Sequence, residues 1–158
     1  MKQEYEQLFV PLKKLDERAV VPKNAYRGDA GVDLHALESC TLAPFERKLI
    51  HTGLAIAIPE GYAGFVLPRS GSALKKGLSL ANTPGLIDSN YRGELGVIAV
   101  NLDPKEPIEI APGDRIAQLV LMKVEAVAFN VVPELDDTDR GTGGFGSSGF
   151  SEQKPVQA

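Results

Sequence analysis

Leu54-Ala-Ile-Ala-Ile-Pro-Glu-Gly61 sets the period of the chain. Leu54, Ile56 and Ile58 recur at every second position with alanines between, the spacing of a strand, and Pro59-Glu-Gly61 then stops it. The same period appears at Ile108-Glu-Ile110 and at Val127, Phe129 and Val131. Turn signals recur at short intervals: Ala43-Pro44, Thr83-Pro-Gly85, Asp103-Pro104 and Ala111-Pro-Gly-Asp114. Many short strands between such turns predict an all-β sandwich, barrel or jelly roll, with one short helix around Ser72–Lys76. Leu95–Leu102 and Ile116–Val124 are apolar on both faces, which predicts either a sandwich core or a subunit interface.

The 158 residues suit one domain, and 43% hydrophobic content supports a core. The compact domain is expected over residues 1–136, with an acidic linker leading into an arm over residues 137–158. A net charge of −4 and a pI near 5.2 argue against nucleic-acid binding by bulk charge. Cys40 is the only cysteine, which rules out an intrachain disulfide and a cysteine metal cluster and fits a reducing, cytoplasmic setting. Two histidines are too few for a zinc site built on imidazole. No apolar run approaches 18 residues and no signal-peptide pattern opens the chain, so a soluble protein without membrane attachment is expected.

Several clusters carry polar chemistry, each with a plain alternative. In Asp29-Ala-Gly-Val-Asp-Leu-His-Ala36, Asp33 lies between apolar neighbours, where a carboxylate needs a partner. It orients an arginine, holds a metal-bound water, or serves as a turn cap. His35 reads as an exposed or satisfied side chain. Pro68-Arg-Ser-Gly-Ser-Ala73 reads either as a helix start that takes an anion, with Arg69 adding charge, or as an ordinary helix cap.

Asn82-Thr-Pro-Gly-Leu-Ile-Asp-Ser-Asn-Tyr-Arg-Gly-Glu94 runs into Leu95–Leu102 and predicts a decorated hairpin. Asn82 suits the edge of a base, Tyr91 suits a sugar, and Asp88, after two apolar residues, suits a partly buried general base. Turn geometry alone also accounts for these residue types. Gln118, inside an apolar strand, requires hydrogen-bond partners from protein or ligand. Asp114 and Arg115 read as a structural pair.

Arg140-Gly-Thr-Gly-Gly-Phe-Gly-Ser-Ser-Gly149 holds one cation, one ring, three hydroxyls and five glycines. It is either an idle flexible tail or an arm that closes on an anionic, flat-ringed ligand. No lysine follows these glycines in the manner of a Walker loop.

Together the five clusters resemble the homotrimeric dUTP diphosphatase family. The matching stretches are Ala30–Leu34, Pro68–Ala73, Gly85–Glu94, Gly113–Leu119 and Arg140–Gly149, in the family's order. The resemblance implies a distorted jelly-roll or β-barrel fold of the β-clip type, with one short helix and a flexible glycine-rich C-terminal arm. It implies hydrolysis of dUTP to dUMP and pyrophosphate, with Mg²⁺ as cofactor and with sites shared among three subunits. Asp88 then activates water. Asn82, the backbone of Leu86 and Ile87, and Gly96 read uracil, and Tyr91 excludes a 2′-hydroxyl. Arg69, Ser70, Gly71 and Gln118 bind phosphates. Arg140 holds the γ-phosphate, Phe145 stacks on uracil, and Gly146 and Ser147 close over the chain of phosphates. No direct protein ligand to the metal is implied, only Asp33 and Gln118 through water. The competing assignments are a dCTP deaminase, a bifunctional deaminase and diphosphatase, and a non-catalytic nucleotide binder of the same fold.

Overall fold

The computed structural model describes residues 7–147, so Ser148 and Gly149 of the arm lie outside the described residues. Two units separate, one ending at Ala126 and one beginning at Val127. The first carries eleven strands and one helix. In chain order these are β1 (Leu12–Lys14), β2 (Val32–His35), β3 (Cys40–Leu42), β4 (Arg47–His51), β5 (Leu54–Ile56), β6 (Tyr62–Leu67), α1 (Ser70–Lys76), β7 (Leu78–Leu80), β8 (Gly85–Ile87), β9 (Gly96–Asn101), β10 (Ile108–Ile110) and β11 (Arg115–Lys123). Four small antiparallel sheets result: β1-β5, β10-β3, β2-β11-β6-β8 and β4-β9-β7. The architecture is all-β and jelly-roll-like, as the turn spacing predicts.

The core gathers apolar residues from these sheets, including Leu34, Leu42, Leu95, Val97, Ala99 and Ile116, each 2% exposed or less. The opening stretch behaves differently from a one-faced strand. All three residues of β5 are buried, because alanine at 55 lets the second face pack as well. β9 does alternate: Val97, Ala99 and Asn101 point inward, while Ile98 is 36% exposed. In β11 Met122 is likewise exposed. Within one chain, then, β9 has one exposed face, and β11 is buried at Ile116, Ala117 and Leu119 but exposed toward its end.

Buried Asn101 is fully paired. Its amide donates to Leu42 O at 3.0 Å and Glu106 O at 2.9 Å, and its oxygen accepts from Asp103 N at 2.8 Å. It thus joins the end of β9 to the β3 end and to the turn before β10. α1 ends at Gly77, whose left-handed φ of 68° suits glycine; a Cβ there would meet Asp103 N at 2.7 Å.

In the second unit Val127, Phe129 and Val131 form no strand. Their side chains are exposed, and among the described residues no strand pairs with them. A period of two gives strand character only where a ladder partner exists. Further along, Gly141 N donates to Thr138 O and Oγ1, Gly143 N to Arg140 O, and Ser147 N to Gly144 O. These turns organise the arm locally.

Candidate active site

β2 and β11 pair so that Asp33 stands opposite Gln118, and β6 on the other side sets Leu67 opposite the same glutamine. Pro68 ends β6 and Arg69 follows as the N-cap residue of α1. Three separate sequence stretches therefore meet at one end of one sheet. Arg69 Nε donates to Asp33 Oδ1 at 2.7 Å, and Arg115 Nη1 lies 3.6 Å from Asp33 Oδ2. Gln118 Nε2 donates to Pro68 O at 2.9 Å. Its Oε1 lies beside Gly31, where a Cβ would come within 3.0 Å of it. Asp33, Arg69, Ser70, Gly71 and Gln118 line one cleft of about 470 Å³.

Several ambiguities resolve here. Asp33 orients arginines and is not a turn cap. Arg69 is the N-cap residue of α1 and no side chain caps the helix, so the reading of Pro68–Ala73 as an ordinary helix cap fails. Gln118 spends its amide nitrogen on protein. Arg115 pairs with Asp33 and not with Asp114, whose carboxylate instead accepts from Ala111 N at 2.9 Å. His35 corrects the reading of it as exposed or satisfied: its Nδ1 is buried without a partner among the described residues. Burial lowers its pKa, against the pull of Asp33 and with the push of Arg115 and Arg69.

The hairpin residues stand elsewhere. β8 lies on the far edge of β6 and Asp88 follows it directly. Asp88, Ser89, Asn90 and Arg92 line a second cleft of about 620 Å³ with Ile58, Glu60 and Tyr62. Asp88 is exposed, which corrects the expectation of partial burial: Leu86 beside it points outward at 59% exposure and shields nothing. Gln118 sits level with Leu67, and Asp88 continues to the level of Ala63. Two strand spacings across and four residues along place their backbones roughly 16 Å apart.

The hairpin is anchored firmly. Tyr91 Oη donates to Glu94 O at 2.9 Å and Tyr91 N to Asp88 O at 3.1 Å. Glu94 accepts from Gly53 N at 2.7 Å and meets His51 Nδ1 at 2.8 Å. Burial alone would raise the Glu94 carboxyl, but the bonds from His51 and Gly53 outweigh it and hold it below the usual range. A Cβ at Gly96 would come within 2.6 Å of Leu49 Cδ1, the tip of an exposed side chain that would have to turn aside. Asn82 is exposed beside Gly85, and Ile87 is half-buried opposite Gly64. In the second unit Arg140 Nε donates to Gly143 O at 2.8 Å, and Phe145 is fully exposed with φ of 44°. Gly146 takes φ of 96°.

Motif reading missed Lys23 and Tyr26, which line the cleft with Asp33, Arg69 and Gln118, and Glu94 as the hairpin anchor. Among the described residues no group of three or more His, Cys, Asp or Glu side chains gathers to hold a metal ion. A carboxylate has about four lone-pair sites, so Asp33 keeps acceptor capacity beyond its two arginines. The donor set suits a hard, hydrated cation carried by phosphates, and offers it no protein cage. No helix is long and apolar enough to cross a membrane among the described residues.

A family model described as dUTPase matches residues 17–149. The deoxyuridine 5'-triphosphate nucleotidohydrolase of Corynebacterium glutamicum is 55% identical over 140 residues, spanning 89% of this chain and 94% of that protein. Its counterpart from Nocardia farcinica is 54% identical, spanning 89% and 85%. Among solved structures, the dUTPase of Staphylococcus bacteriophage 80alpha with dUpNHpp matches with a TM-score of 0.83 at 32% identity, covering 90% of this chain and 99% of that one. The dUTPase of phage phi11 of S. aureus, described with a structural Mg(II) ion, matches with a TM-score of 0.75 at 28% identity, covering 80% and 98%.

Proposed function

The chain belongs to the dUTPase family, whose members hydrolyse dUTP, and on that premise we propose a division of labour among its residues. The observation that carries the proposal is the Asp33 carboxylate fixing Arg69 in the cleft that Gln118 also lines. Two arginines on one carboxylate cost little mobility to hold, so Arg69 meets phosphate already oriented.

Asp88, as a carboxylate, takes a proton from water as that water attacks the α-phosphorus in line. The bond to the bridging oxygen breaks, pyrophosphate leaves with the electron pair, and dUMP gains the water oxygen. Phosphoryl transfer of this kind depends on positioning and charge stabilisation. Arg69, the backbone of Ser70 and Gly71, and Gln118 bind the phosphates, and Arg140 neutralises the γ-phosphate. Asn82, the backbone of Leu86 and Ile87, and Gly96 pair with uracil. Tyr91, held by Glu94 O, packs against deoxyribose. Phe145 covers the base, while Gly146 and Ser147 close over the phosphates. Asp33 and Gln118 are the residues that would hold a hydrated Mg²⁺ through water, and the cation would supply neutralisation of phosphate charge.

The roughly 16 Å between Gln118 and Asp88 supports a site built from more than one copy of the chain. A base must lie within about 3 Å of the water it activates, and two copies of the chain bring Asp88 and the Gln118 cleft to one nucleotide more readily than one copy does. A homotrimer with shared sites satisfies this geometry. Hydrolysis in isotopically labelled water tests the chemistry: the label is expected in dUMP. Label in pyrophosphate instead means attack at the β-phosphorus and contradicts the assignment.

A further inference from the structure

We propose that Lys23 is an additional binding residue for the phosphate chain, an inference that rests on the dUTP-hydrolysing reading of the same cleft. Lys23 belongs to none of the five stretches that carry the family resemblance. It lines the cleft with Arg69, Arg115 and Gln118. The cleft walls hold three cations, Lys23, Arg69 and Arg115, against two carboxylates, Asp29 and Asp33, a formal balance of +1. Both arginines are engaged by Asp33. Asp33 thus leaves a surplus positive charge on the arginine pair, and Lys23, which has no ion pair among the described residues, is the cleft cation not tied to a carboxylate.

The position of Lys23 is also built. Asn24 Nδ2 donates to Asp29 O at 2.8 Å and Gly31 O at 3.3 Å, tying the segment after Lys23 to the approach of β2. Asp29 Oδ2 accepts from Tyr26 N at 2.8 Å and closes that turn. A lysine on this fixed backbone acts as a mobile point charge, suited to phosphate oxygens without a fixed angle. Such a charge recognises a polyphosphate, whether in a nucleotide or as free pyrophosphate, and ignores base and sugar. Lys23 therefore governs affinity and leaves the chemical step alone.

The test compares the full-length protein with Lys23→Ala, Lys23→Arg and, as a charge control outside the cleft, Lys105→Ala. Steady-state constants for dUTP, calorimetric affinity for inorganic pyrophosphate and inhibition by deoxyuridine are measured at low and high salt. Lys23→Ala is expected to raise KM and the pyrophosphate Kd by about 3–10-fold at low salt, with kcat held within about twofold and the salt dependence flattened. Lys23→Arg restores affinity, and Lys105→Ala and deoxyuridine inhibition do not move. Unchanged pyrophosphate affinity in Lys23→Ala overturns the proposal, as does an equal loss of deoxyuridine binding. If the wild-type protein releases no pyrophosphate from dUTP, the nucleotide reading fails on its own, and pyrophosphate calorimetry still decides the role of Lys23.

Discussion

Asp88→Asn is expected to lower kcat for dUTP by about 10³-fold while leaving dUTP binding within a few-fold of wild type. Asparagine keeps the size and the hydrogen-bonding oxygen of the side chain but takes no proton at neutral pH. Asp88 follows β8 directly and opens the turn that Tyr91 N closes on its carbonyl, so its backbone is fixed by bonds the substitution does not touch. Its side chain is exposed, so the change leaves no buried group unpaired. Stability is expected to stay within about 0.5 kcal/mol. Pyrophosphate release, calorimetric dUTP binding and thermal melting together make the check. Near-wild-type turnover in the variant removes Asp88 from the role of base.

Truncation after Asp139 is expected to be nearly as damaging, with a loss of about 10²–10³-fold in kcat/KM and an unchanged melting temperature. The arm's described hydrogen bonds are local: Arg140 Nε to Gly143 O, Gly143 N to Arg140 O, Ser147 N to Gly144 O. Removing it takes away one guanidinium and one ring, and in phosphoryl transfer one well-placed arginine is worth about 10³–10⁵-fold. The lower figure is chosen because ordering glycine-rich backbone costs about 1–2 kcal/mol per residue and offsets part of the contact energy. Arg140→Ala and Phe145→Ala then divide the loss. Full activity in the truncated protein contradicts the lid assignment.

Much of the fold was legible because its signals are local. The proline and glycine turns fall between strands where their φ preferences place them, and β9 and β11 arise from the two long apolar runs within a residue or so. The misread parts need a partner distant in sequence. Val127, Phe129 and Val131 have the period of a strand but no ladder among the described residues. Asp114 and Arg115 are neighbours, yet strand pairing brings Arg115 opposite His35, close to Asp33, while Asp114 closes its own turn. His35 has an ordinary sequence context, and only packing strands its Nδ1.

The site was legible as residue types and not as geometry. Arg69, Asp33 and Gln118 converge because β2 and β11 carry the last two and Arg69 follows the end of the neighbouring β6. Asp88 does not join them, since β8 occupies the opposite edge of β6. The spacing along the chain contains no hint of that 16 Å separation, which emerges only from strand order and register. Lys23 escaped for a related reason: an isolated lysine gains meaning only from the arginines and the glutamine that share its cleft.

The most direct measurement of the central claim is pyrophosphate release from dUTP, dCTP, dTTP and UTP under identical conditions, with ammonia assayed in parallel. Equimolar dUMP and pyrophosphate from dUTP are predicted, with kcat/KM for the other three lower by about 10³-fold or more and no ammonia from dCTP. Ammonia release from dCTP, or comparable hydrolysis of all four nucleotides, contradicts the account.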